Sequence, residues 1–413
     1  MVALLIDDVL FAPGLGAFYY DDQAAIAAGA VHDGFLYSGP PRTDGFPAVR
    51  IPAQSLGIGL VLSDRTVIWG DMMGVQYSGA AGRDALFDAH SAEIFCRNHL
   101  VSRLTGLRTE NFRAACREVL APVQDRPIPA AVQYGVSQAL LKLAAYRQGI
   151  TVVEAICREY DLPVIAKPVP LYAQSGDDRE TNVDKMILKR VEILPHGLIN
   201  SYEKFGREGA NFRRFVRYVA DRVRAIGPVD YHPVLHFDVY GWIGMEIGMR
   251  PDVIARFIAA AGADVAPLRL HIECPADYGD RDSQIMNYGS IISELAALGS
   301  DVRVVVDERC NTLDDILAFA GAGMGNGLIV QIKMPDVGSV ADSIEAVLAC
   351  KTAGVGAFLG GSCTETELSA ALSVHVAVAT QPAMMLAKPG MGADEALTIM
   401  GNEQSRLMAI LRN

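Results

Sequence analysis

The spacing of hydrophobic residues changes near residue 163 and divides the chain into two parts. In the first part, the apolar runs 55–62 and 66–70 are separated by three polar residues, a pattern that predicts an antiparallel hairpin. Helical spacing of apolar residues then predicts helices at 86–103, 110–120 and 130–148. We therefore predict an N-terminal α+β domain over residues 1–162.

A Gly- and Pro-rich segment at 13–46 and a second segment at 76–84 separate these elements. Loops of this length inside a compact domain are usually lids or binding loops, or else disordered. We predict both segments as loops.

From residue 163 to 413, short apolar strands alternate with helical stretches. The strands are predicted at 169–174, 197–202, 234–240, 269–274, 302–308, 327–333, 356–362 and 383–388. The helices are predicted at 179–190, 208–226, 251–262, 281–298, 312–320, 338–352, 364–378 and 393–411. Eight such units predict a TIM (β/α)8 barrel, an α/β fold, and favour it over an open doubly wound sheet.

Acidic residues end three successive predicted strands of this barrel. Asp238, Glu273 and Asp307 each follow an apolar run and lie about one strand-and-helix unit apart. The reacting groups of a barrel lie at the C-terminal ends of its strands, so these carboxylates are expected side by side at the mouth. Any one of them alone is better interpreted as a helix cap or a turn residue. Together they predict a metal site, and oxygen ligands in this number fit octahedral Mg²⁺ better than Zn²⁺.

The next predicted strand ends in the sequence QIK. Side chains alternate between the faces of a strand, so Gln331 and Lys333 point the same way, one unit from Asp307. A partly desolvated lysine beside a divalent cation has a lowered pKa, which would let its neutral amine act as a general base. The alternative is a surface lysine lying along apolar neighbours, which the strongly apolar strand disfavours.

Further polar residues lie near the ends of other predicted strands. Gln174 follows the first strand, where its amide could hydrogen-bond a substrate carboxylate. Ser362 and Cys363 precede a predicted helix, and their backbone N–H groups would form an anion seat. His196 lies near the start of the second predicted strand, and a lone histidine is more often structural.

Two other patterns have structural interpretations. The glycine-rich run 321–327 comes after a helix and before a strand, the wrong order for a dinucleotide-binding motif, so we interpret it as a turn. His232 and His236 are four residues apart, but Pro233 and the following strand deny them a common helix face. We interpret both histidines as structural.

Composition narrows the class of protein. The 413 residues include 36 basic and 48 acidic ones, a formal charge of −12, and no basic stripe, which argues against nucleic acid as a partner. Seven cysteines without a Cys-x-x-Cys pair are typical of reduced thiols in a cytoplasmic protein. We recognise neither a signal peptide nor an apolar run of membrane-spanning length, so we expect a cytoplasmic protein without a membrane partner.

These motifs together resemble the enolase superfamily and, more narrowly, the methylaspartate ammonia-lyase family. The segments that carry the resemblance are FYYDDQ (18–23), HDGF (32–35), QYSGAAGRD (76–84), AQSGDDR (173–179), LPHGLIN (194–200), HFDVYG (236–241), IECP (272–275), DERCNT (307–312), VQIKMPD (330–336), GGSCTET (360–366) and AKPGMG (387–392). The resemblance implies an enolase-like fold, in which an α+β domain at 1–162 caps a modified TIM (β/α)8 barrel at 163–413.

The resemblance also implies an activity and residue roles. The activity is Mg²⁺-dependent conversion of L-threo-3-methylaspartate to mesaconate and ammonia by a homodimer, with K⁺ as a monovalent activator. Lys333 matches the general base for the (2S,3S) substrate. His196 matches a residue across the site that contacts the reacting carboxylate and serves as base for the other C3 epimer. The implied Mg²⁺ ligands are Asp238, Glu273 and Asp307, and the implied substrate-binding residues are Gln76, Gln174, His196, Gln331, Ser362 and Cys363.

Three positions depart from the family pattern. Ser362 replaces an expected Thr, Cys274 replaces an expected Gly, and Arg309 replaces an expected Trp. These changes bear on the substrate range more than on the type of reaction.

Two alternative functions stay open at this point. Another enolase-superfamily reaction, the dehydration or racemisation of a hydroxy acid, would keep the metal and the base but change the leaving group. A barrel that only binds a ligand or serves as a scaffold would not need Lys333 for its biological activity.

Overall fold

The computed structural model describes residues 4–80 and 82–412. Within them, an N-terminal region of strands and helices precedes a closed barrel of eight parallel strands. Residues 1–3 and 413, at the ends of the two predicted domains, and residue 81, inside the second predicted loop, lie outside the described residues.

The N-terminal region is built on a three-stranded antiparallel sheet with the strand order β1-β4-β5. In chain order, the elements of the region are β1 (Ile6–Asp21), α1 (Gln23–Ala27), β2 (Val31–Asp33), β3 (Leu36–Ser38), β4 (Arg50–Leu62), β5 (Val67–Met72), α2 (Ala89–His99), α3 (Val101–Leu104), α4 (Phe112–Val119), α5 (Ala130–Gln148) and α6 (Val152–Glu159). Strands β4 and β5 pair in antiparallel fashion, which confirms the predicted hairpin. Strands β2 and β3 form a separate small hairpin.

Helix α5 packs closely on strand β5. Two glycines allow this approach, because a Cβ atom on Gly70 would clash with the carbonyl oxygen of Gly135, and one on Gly135 would clash with Met72. The other side of α5 reaches the barrel, where Oγ of Ser137 accepts a hydrogen bond from the backbone N–H of Val340 at 2.9 Å. Helix α5 therefore joins the sheet to the barrel.

The prediction of a loop at 13–46 is wrong for most of the segment up to Ser38. Strand β1 continues as far as Asp21, and α1 and the β2–β3 hairpin follow it. Pro13 and the glycines after it suggested a turn, but β1 is an edge strand, where proline is tolerated. A Cβ atom on Gly16 would lie 2.6 Å from the carbonyl oxygen of Thr364, so this glycine permits close packing on the barrel.

The C-terminal part forms the barrel. Its strands are β6 (Leu171–Tyr172), β7 (Ile193–His196), β8 (Val234–Asp238), β9 (Leu270–Glu273), β10 (Arg303–Val306), β11 (Leu328–Ile332), β12 (Gly356–Leu359) and β13 (Met384–Leu386). Its helices are α7 (Arg179–Leu188), α8 (Tyr202–Phe205), α9 (Ala210–Ile226), α10 (Trp242–Ile247), α11 (Pro251–Val265), α12 (Arg281–Ala297), α13 (Leu313–Gly321), α14 (Met334–Val337), α15 (Val340–Thr352), α16 (Glu367–Thr380) and α17 (Ala393–Leu411). Among the helices of the described residues, none is both long and apolar enough to cross a membrane.

All neighbouring strands of this sheet run parallel, and the pairing of β9 with β10 closes it. The predicted closed barrel is therefore confirmed, and the open doubly wound sheet is wrong.

The second barrel strand lies earlier than predicted. The prediction of a strand at 197–202 is wrong, because β7 ends at His196 and a loop follows it. His196, Gly197 and Leu198 have φ angles of 66°, 78° and 46°, which are left-handed values outside the range of a strand. His196 thus lies at the C-terminal end of its strand, and not near the start.

Side chains fill the inside of the barrel. The apolar ones form a cluster of Tyr172, Ile193, Val234, Val305, Ile329, Phe358, Met384 and Leu386. Polar side chains take the inward positions on three strands: His236 and Asp238 on β8, His271 and Glu273 on β9, and Gln331 on β11. A row of polar groups therefore leads from the barrel interior to its C-terminal mouth.

Candidate active site

The three predicted metal ligands meet in one cavity at the C-terminal ends of the strands. Asp238 ends β8 and Glu273 ends β9, in register on neighbouring strands, and Asp307 directly follows β10. The cavity has a volume of about 90 Å³, and Gln76 and Arg83 from the N-terminal region form part of its lining. The N-terminal region therefore covers the mouth of the barrel and contributes to the site.

A fourth carboxylate, that of Glu308, lines the same cavity. Burial raises the pKa values of Asp238 and Glu273 well above their usual range, and the neighbouring carboxylates raise them further. Among the described residues that line the cavity, Lys333 and Arg83 are the basic side chains other than histidine. Four carboxylates facing two cations leave an excess of negative charge, which a divalent cation would neutralise. Oxygen donors of this kind fit Mg²⁺.

The atoms that could bind a metal ion are not all close enough together to bind the same ion. Ligand atoms of His196, Asp238 and Glu273 lie within 4.8 Å of one another. The carboxylate of Asp307 instead pairs with the ammonium of Lys333, with 2.9 Å between Oδ1 and Nζ. The compact donor group among the described residues thus includes His196 in the place where the sequence predicted Asp307. The carboxylate of Asp307 is not part of this group, so it would have to come closer to the other two acids to bind the same ion.

Lys333 directly follows β11, and its side chain, which is 15% exposed, lines the cavity. Burial is the largest single influence on Lys333 and lowers its pKa, but the negative charges of Asp307 and Asp336 and the hydrogen bond to Asp307 together outweigh burial and raise the pKa. The protein groups by themselves therefore do not produce the lowered pKa that the sequence suggested. Lys333 carries a proton in this arrangement.

His196 lies beside the acids at the end of β7. Its Nε2 atom is 3.5 Å from Oδ2 of Asp238, and its Nδ1 atom is 3.5 Å from Nε2 of Gln174. Burial lowers the pKa of His196 to about 3. The ring is therefore neutral near pH 7, and a neutral imidazole can accept a proton or a hydrogen bond.

The predicted substrate-binding residues all line the cavity, and several are hydrogen-bonded to other protein groups. Nε2 of Gln331 donates to Oε1 of Glu273 at 2.6 Å. Nε2 of Gln76 donates to Oδ2 of Asp21 at 2.8 Å, and the backbone N–H of Gln76 donates to Oγ of Ser362 at 3.2 Å. The bond between Gln76 and Ser362 links the N-terminal region to the loop after β12.

The anion seat predicted at Ser362 and Cys363 is occupied in part by the chain itself. The backbone N–H of Ser362 donates to Oε2 of Glu365 at 3.0 Å. Helix α16 begins at Glu367 after its N-cap residue Thr366, so its N-terminus lies several residues further along. The part of the prediction that relied on the backbone of Ser362 is therefore wrong.

Among the residues not predicted for the site, Arg83 and Glu308 line the cavity, and His236 lies buried inside the barrel in contact with Glu273. Arg83 forms a buried ion pair with Asp336, with 3.2 Å between Nε and Oδ2. The signal for Arg83 was its place in the loop 76–84, which was already a candidate binding loop. The signal for His236 was strand alternation, which puts it on the face of Asp238. Glu308 directly follows a predicted ligand.

The departures from the family pattern lie in or beside the site. Cys274 and Arg309 have φ angles of 49° and 67°, left-handed values that favour glycine, which accounts for the glycine expected at the first position. The thiol of Cys274 contacts the carboxylate of Glu308. Arg309 pairs with Asp277, with 3.2 Å between Nη2 and Oδ2.

The arrangement of an N-terminal region and a closed barrel is shared with other solved structures. Muconate lactonizing enzyme from Pseudomonas fluorescens, complexed with muconolactone, aligns with a TM-score of 0.60 and 16% identity, over 91% of this chain and 85% of that chain. At this identity the likeness shows the fold alone. The protein is therefore a barrel of the enolase type with an N-terminal capping region.

Closer comparisons identify the family within this class. The family model described as Methylaspartate ammonia-lyase N-terminus matches residues 4–161, and the model described as Methylaspartate ammonia-lyase C-terminus matches residues 163–413. The chain belongs to the methylaspartate ammonia-lyase family and, with it, to the lyases. The resemblance found in the sequence is thus confirmed.

Individual relatives cover almost the whole chain. Methylaspartate ammonia-lyase 1 of Carboxydothermus hydrogenoformans is 47% identical over 409 residues, 98% of this chain and 97% of the relative. The crystal structure of the Citrobacter amalonaticus methylaspartate ammonia-lyase containing (2S,3S)-3-methylaspartic acid has a TM-score of 0.96 at 44% identity, over 99% of this chain and 100% of that chain. The Mg complex of β-methylaspartase from Clostridium tetanomorphum has a TM-score of 0.94 at 40% identity, over 99% of each chain.

Proposed function

We propose that this protein eliminates ammonia from L-threo-3-methylaspartate, the (2S,3S) isomer, to give mesaconate, in a reversible reaction that needs Mg²⁺. The observation that carries the proposal is the cavity in which Lys333 and His196 lie among the carboxylates of Asp238, Glu273 and Asp307. The substrate in the Citrobacter crystal structure and the Mg in the Clostridium one support the choice of ligand and metal.

The difficult step is removal of the proton from C3. This proton is very weakly acidic, because its removal places additional negative charge on the adjacent carboxylate. Mg²⁺ held by Asp238, Glu273 and Asp307 would neutralise that charge as a Lewis acid. By holding Mg²⁺, the acids of this site would allow it to bind a dicarboxylate substrate, which their negative charge would otherwise repel.

Lys333 is the proposed general base. Its Nζ atom takes the C3 proton, the C2–N bond breaks, and ammonia leaves to give the double bond of mesaconate. Only a neutral amine can accept this proton, and the contact with Asp307 stabilises the ammonium form. Lys333 therefore has to lose its own proton before it can act, and breaking the 2.9 Å contact with Asp307 would favour that loss.

His196 is proposed to act from the other side of the substrate. Its neutral ring contacts the reacting carboxylate and is the base for the substrate with the opposite configuration at C3. The low pKa of His196, about 3, keeps the ring free of a proton before substrate binds. Gln76, Gln174, Gln331, Ser362 and Cys363 are proposed to bind the polar groups of the substrate.

Three further parts of the proposal concern the protein as a whole. It is proposed to work as a homodimer in the cytoplasm, with K⁺ as a monovalent activator. Its partner is a small amino-dicarboxylate, and neither nucleic acid nor a membrane is required. Sedimentation of the purified protein tests the homodimer, and rates measured with and without K⁺ test the monovalent activator.

The decisive experiment is incubation of the purified protein with L-threo-3-methylaspartate and Mg²⁺, followed by the ultraviolet absorbance of the unsaturated product. We expect mesaconate and ammonia in equal amounts, and no product after chelation of Mg²⁺. Turnover of a hydroxy acid with no deamination would replace the proposal by a dehydratase or racemase. Binding of the substrate without any turnover would favour a binding protein.

A further inference from the structure

A buried histidine lies inside the barrel, directly below the carboxylates at its mouth. His236 occupies the inward position of β8 two residues before Asp238, and it is fully buried. Its Nε2 atom is 2.7 Å from Oε2 of Glu273, whose side chain is 1% exposed. The other oxygen of Glu273, Oε1, accepts the hydrogen bond from Gln331 at 2.6 Å. Both oxygens of Glu273, on β9, are therefore in contact with side-chain nitrogen atoms from other strands, β8 and β11.

We propose that His236 is a positioning residue, which donates a hydrogen bond to Glu273 and fixes its carboxylate in the orientation that binds the metal. This inference rests on the proposed function, because it takes Glu273 as a ligand of Mg²⁺. His236 itself touches neither substrate nor metal. It acts through Glu273.

The surroundings of the ring decide which nitrogen carries the hydrogen. Nδ1 of His236 is buried and has no hydrogen-bond partner among the described residues. The ring of Tyr172 stacks on the imidazole, with 4.4 Å between the ring centroids and 21° between the planes. A hydrogen on Nδ1 would be left without an acceptor, and the Nε2 lone pair would then face a carboxylate. The hydrogen therefore belongs on Nε2, where it points at Glu273.

The consequence for the metal site is a carboxylate that cannot rotate freely. Each oxygen of Glu273 accepts one hydrogen bond and keeps a further lone pair for a cation. The stacking of Tyr172 holds the imidazole plane, so the donor is itself fixed. Partners that orient a metal ligand in this way typically change metal affinity by about 10- to 100-fold when they are removed.

The barrel offers a matched control for this idea. His271 is the neighbouring buried histidine, on β9, and its ring centroid lies 5.7 Å from that of His236. Its Nδ1 atom also has no partner within the part of the chain that the structure describes. His271 lies two residues before Glu273, at the next inward position, and no hydrogen bond links the two side chains among the described contacts. Loss of its ring disturbs the same core without removing the proposed donor.

The test measures Mn²⁺ and Mg²⁺ binding by calorimetry on the full-length protein without substrate, and so does not depend on activity. We expect His236→Leu to weaken metal binding by about 10- to 100-fold. His236→Gln keeps an N–H donor that can reach Glu273 and should bind within about threefold of the unaltered protein. His271→Leu should also bind normally.

The outcomes separate this inference from the proposed function. Unchanged affinity in a folded His236→Leu protein overturns the positioning role, and so does an equal loss in the His271→Leu control. If His236→Leu does not fold, His236→Asn, whose amide is too short to reach Glu273, replaces it. Absence of metal binding by the unaltered protein contradicts the metal site itself. Normal metal binding without deamination contradicts the proposed reaction but leaves the role of His236 in place.

Discussion

Two lysine–carboxylate pairs lie near the C-terminal end of the barrel, one half-buried and the other fully buried, and their surroundings differ. Nζ of Lys333 is 2.9 Å from Asp307, and Nζ of Lys388 is 3.0 Å from Glu365. The side chains of the first pair are 15% and 16% exposed, whereas those of the second are 1% and 0% exposed. The two distances are nearly equal, so the distance alone cannot distinguish their roles.

The pair of Lys388 and Glu365 is enclosed by further hydrogen bonds. Lys388 also donates to the carbonyl oxygen of Gly360 at 3.1 Å. Glu365 accepts hydrogen bonds from the hydroxyl of Tyr134 at 2.8 Å and from the backbone N–H of Ser362 at 3.0 Å. This network joins β13, the loop after β12 and helix α5, and it has the features of a structural connection.

The pair of Lys333 and Asp307 faces the cavity and its surplus of carboxylates. A cation or a substrate can compete for either partner there, since both line the same open space. The comparison indicates that an ion pair can take part in a reaction when its partners can separate within the site. It instead stabilises the fold when all its polar atoms are hydrogen-bonded to other protein groups.

The largest effect is expected from Lys333→Ala. This change removes the proposed base, and general bases typically contribute about 10²- to 10⁴-fold to the rate. We expect kcat for the (2S,3S) substrate to fall by about that factor while Mg²⁺ still binds. Steady-state rates and metal titration on the same preparation measure both quantities. A rate close to that of the unaltered protein would show that Lys333 is not the base.

The next effect concerns the acids that surround this pair. Asp238→Asn, Glu273→Gln and Asp307→Asn each remove a charged oxygen ligand, so we expect more than about 100-fold weaker Mg²⁺ binding, beyond the loss typical of an outer partner. Activity at saturating substrate should then require correspondingly more Mg²⁺. If Asp307→Asn binds the metal normally while the other two do not, the ligand group is the one with His196 in place of Asp307.

The gathering of the acids at the barrel mouth could be predicted from the sequence because each strand end has a local signature. An apolar run followed by an acid needs no knowledge of distant residues, and barrel geometry then places Asp238 and Glu273 side by side. The orientation of Asp307 toward Lys333 could not be predicted, since it depends on the balance of charges within the closed cavity. The same applies to Arg83, which reaches the site only because the N-terminal region folds over the mouth.

The errors in the fold have a similar origin. A strand was predicted at 197–202 because the residues after Pro195 have the apolar pattern of a strand. The left-handed backbone that rules out a strand there is a property of the folded chain. The second half of strand β1 was not predicted because its glycines suggested a loop. Gly16 instead allows close packing against Thr364, a residue far away in the sequence. Local patterns thus identified the barrel units well, and contacts between the two regions accounted for most of what was missed.

Removal of Lys388 tests the structural member of the comparison. Lys388→Met leaves the carboxylate of Glu365 buried beside Tyr134 and Ser362, and breaking such a pair typically lowers the free energy of unfolding by about 3–5 kcal/mol. Urea denaturation of the variant measures the loss. The double variant Lys388→Met with Glu365→Gln removes both charges and should recover part of it. A loss below about 1 kcal/mol in the single variant would mean that the pair is not a structural connection.

A third buried lysine, Lys142 in α5, shows what happens without a contacting carboxylate. Its Nζ atom donates to the carbonyl oxygen of Trp69 at 2.9 Å, and burial lowers the pKa of Lys142 to about 8. Between pH 8 and about 10.5 the unfolded chain holds this proton and the folded chain does not, so stability rises with pH across that window. Below pH 8 the folded protein still bears the full free-energy cost of burying the charged ammonium of Lys142.

Lys142→Met should therefore be more stable than the unaltered protein at pH 7 by about 1–3 kcal/mol, with the difference shrinking toward pH 10.5. Denaturation midpoints across this range, with the exposed Lys167→Met as control, measure the trend, and a difference that does not depend on pH would contradict it.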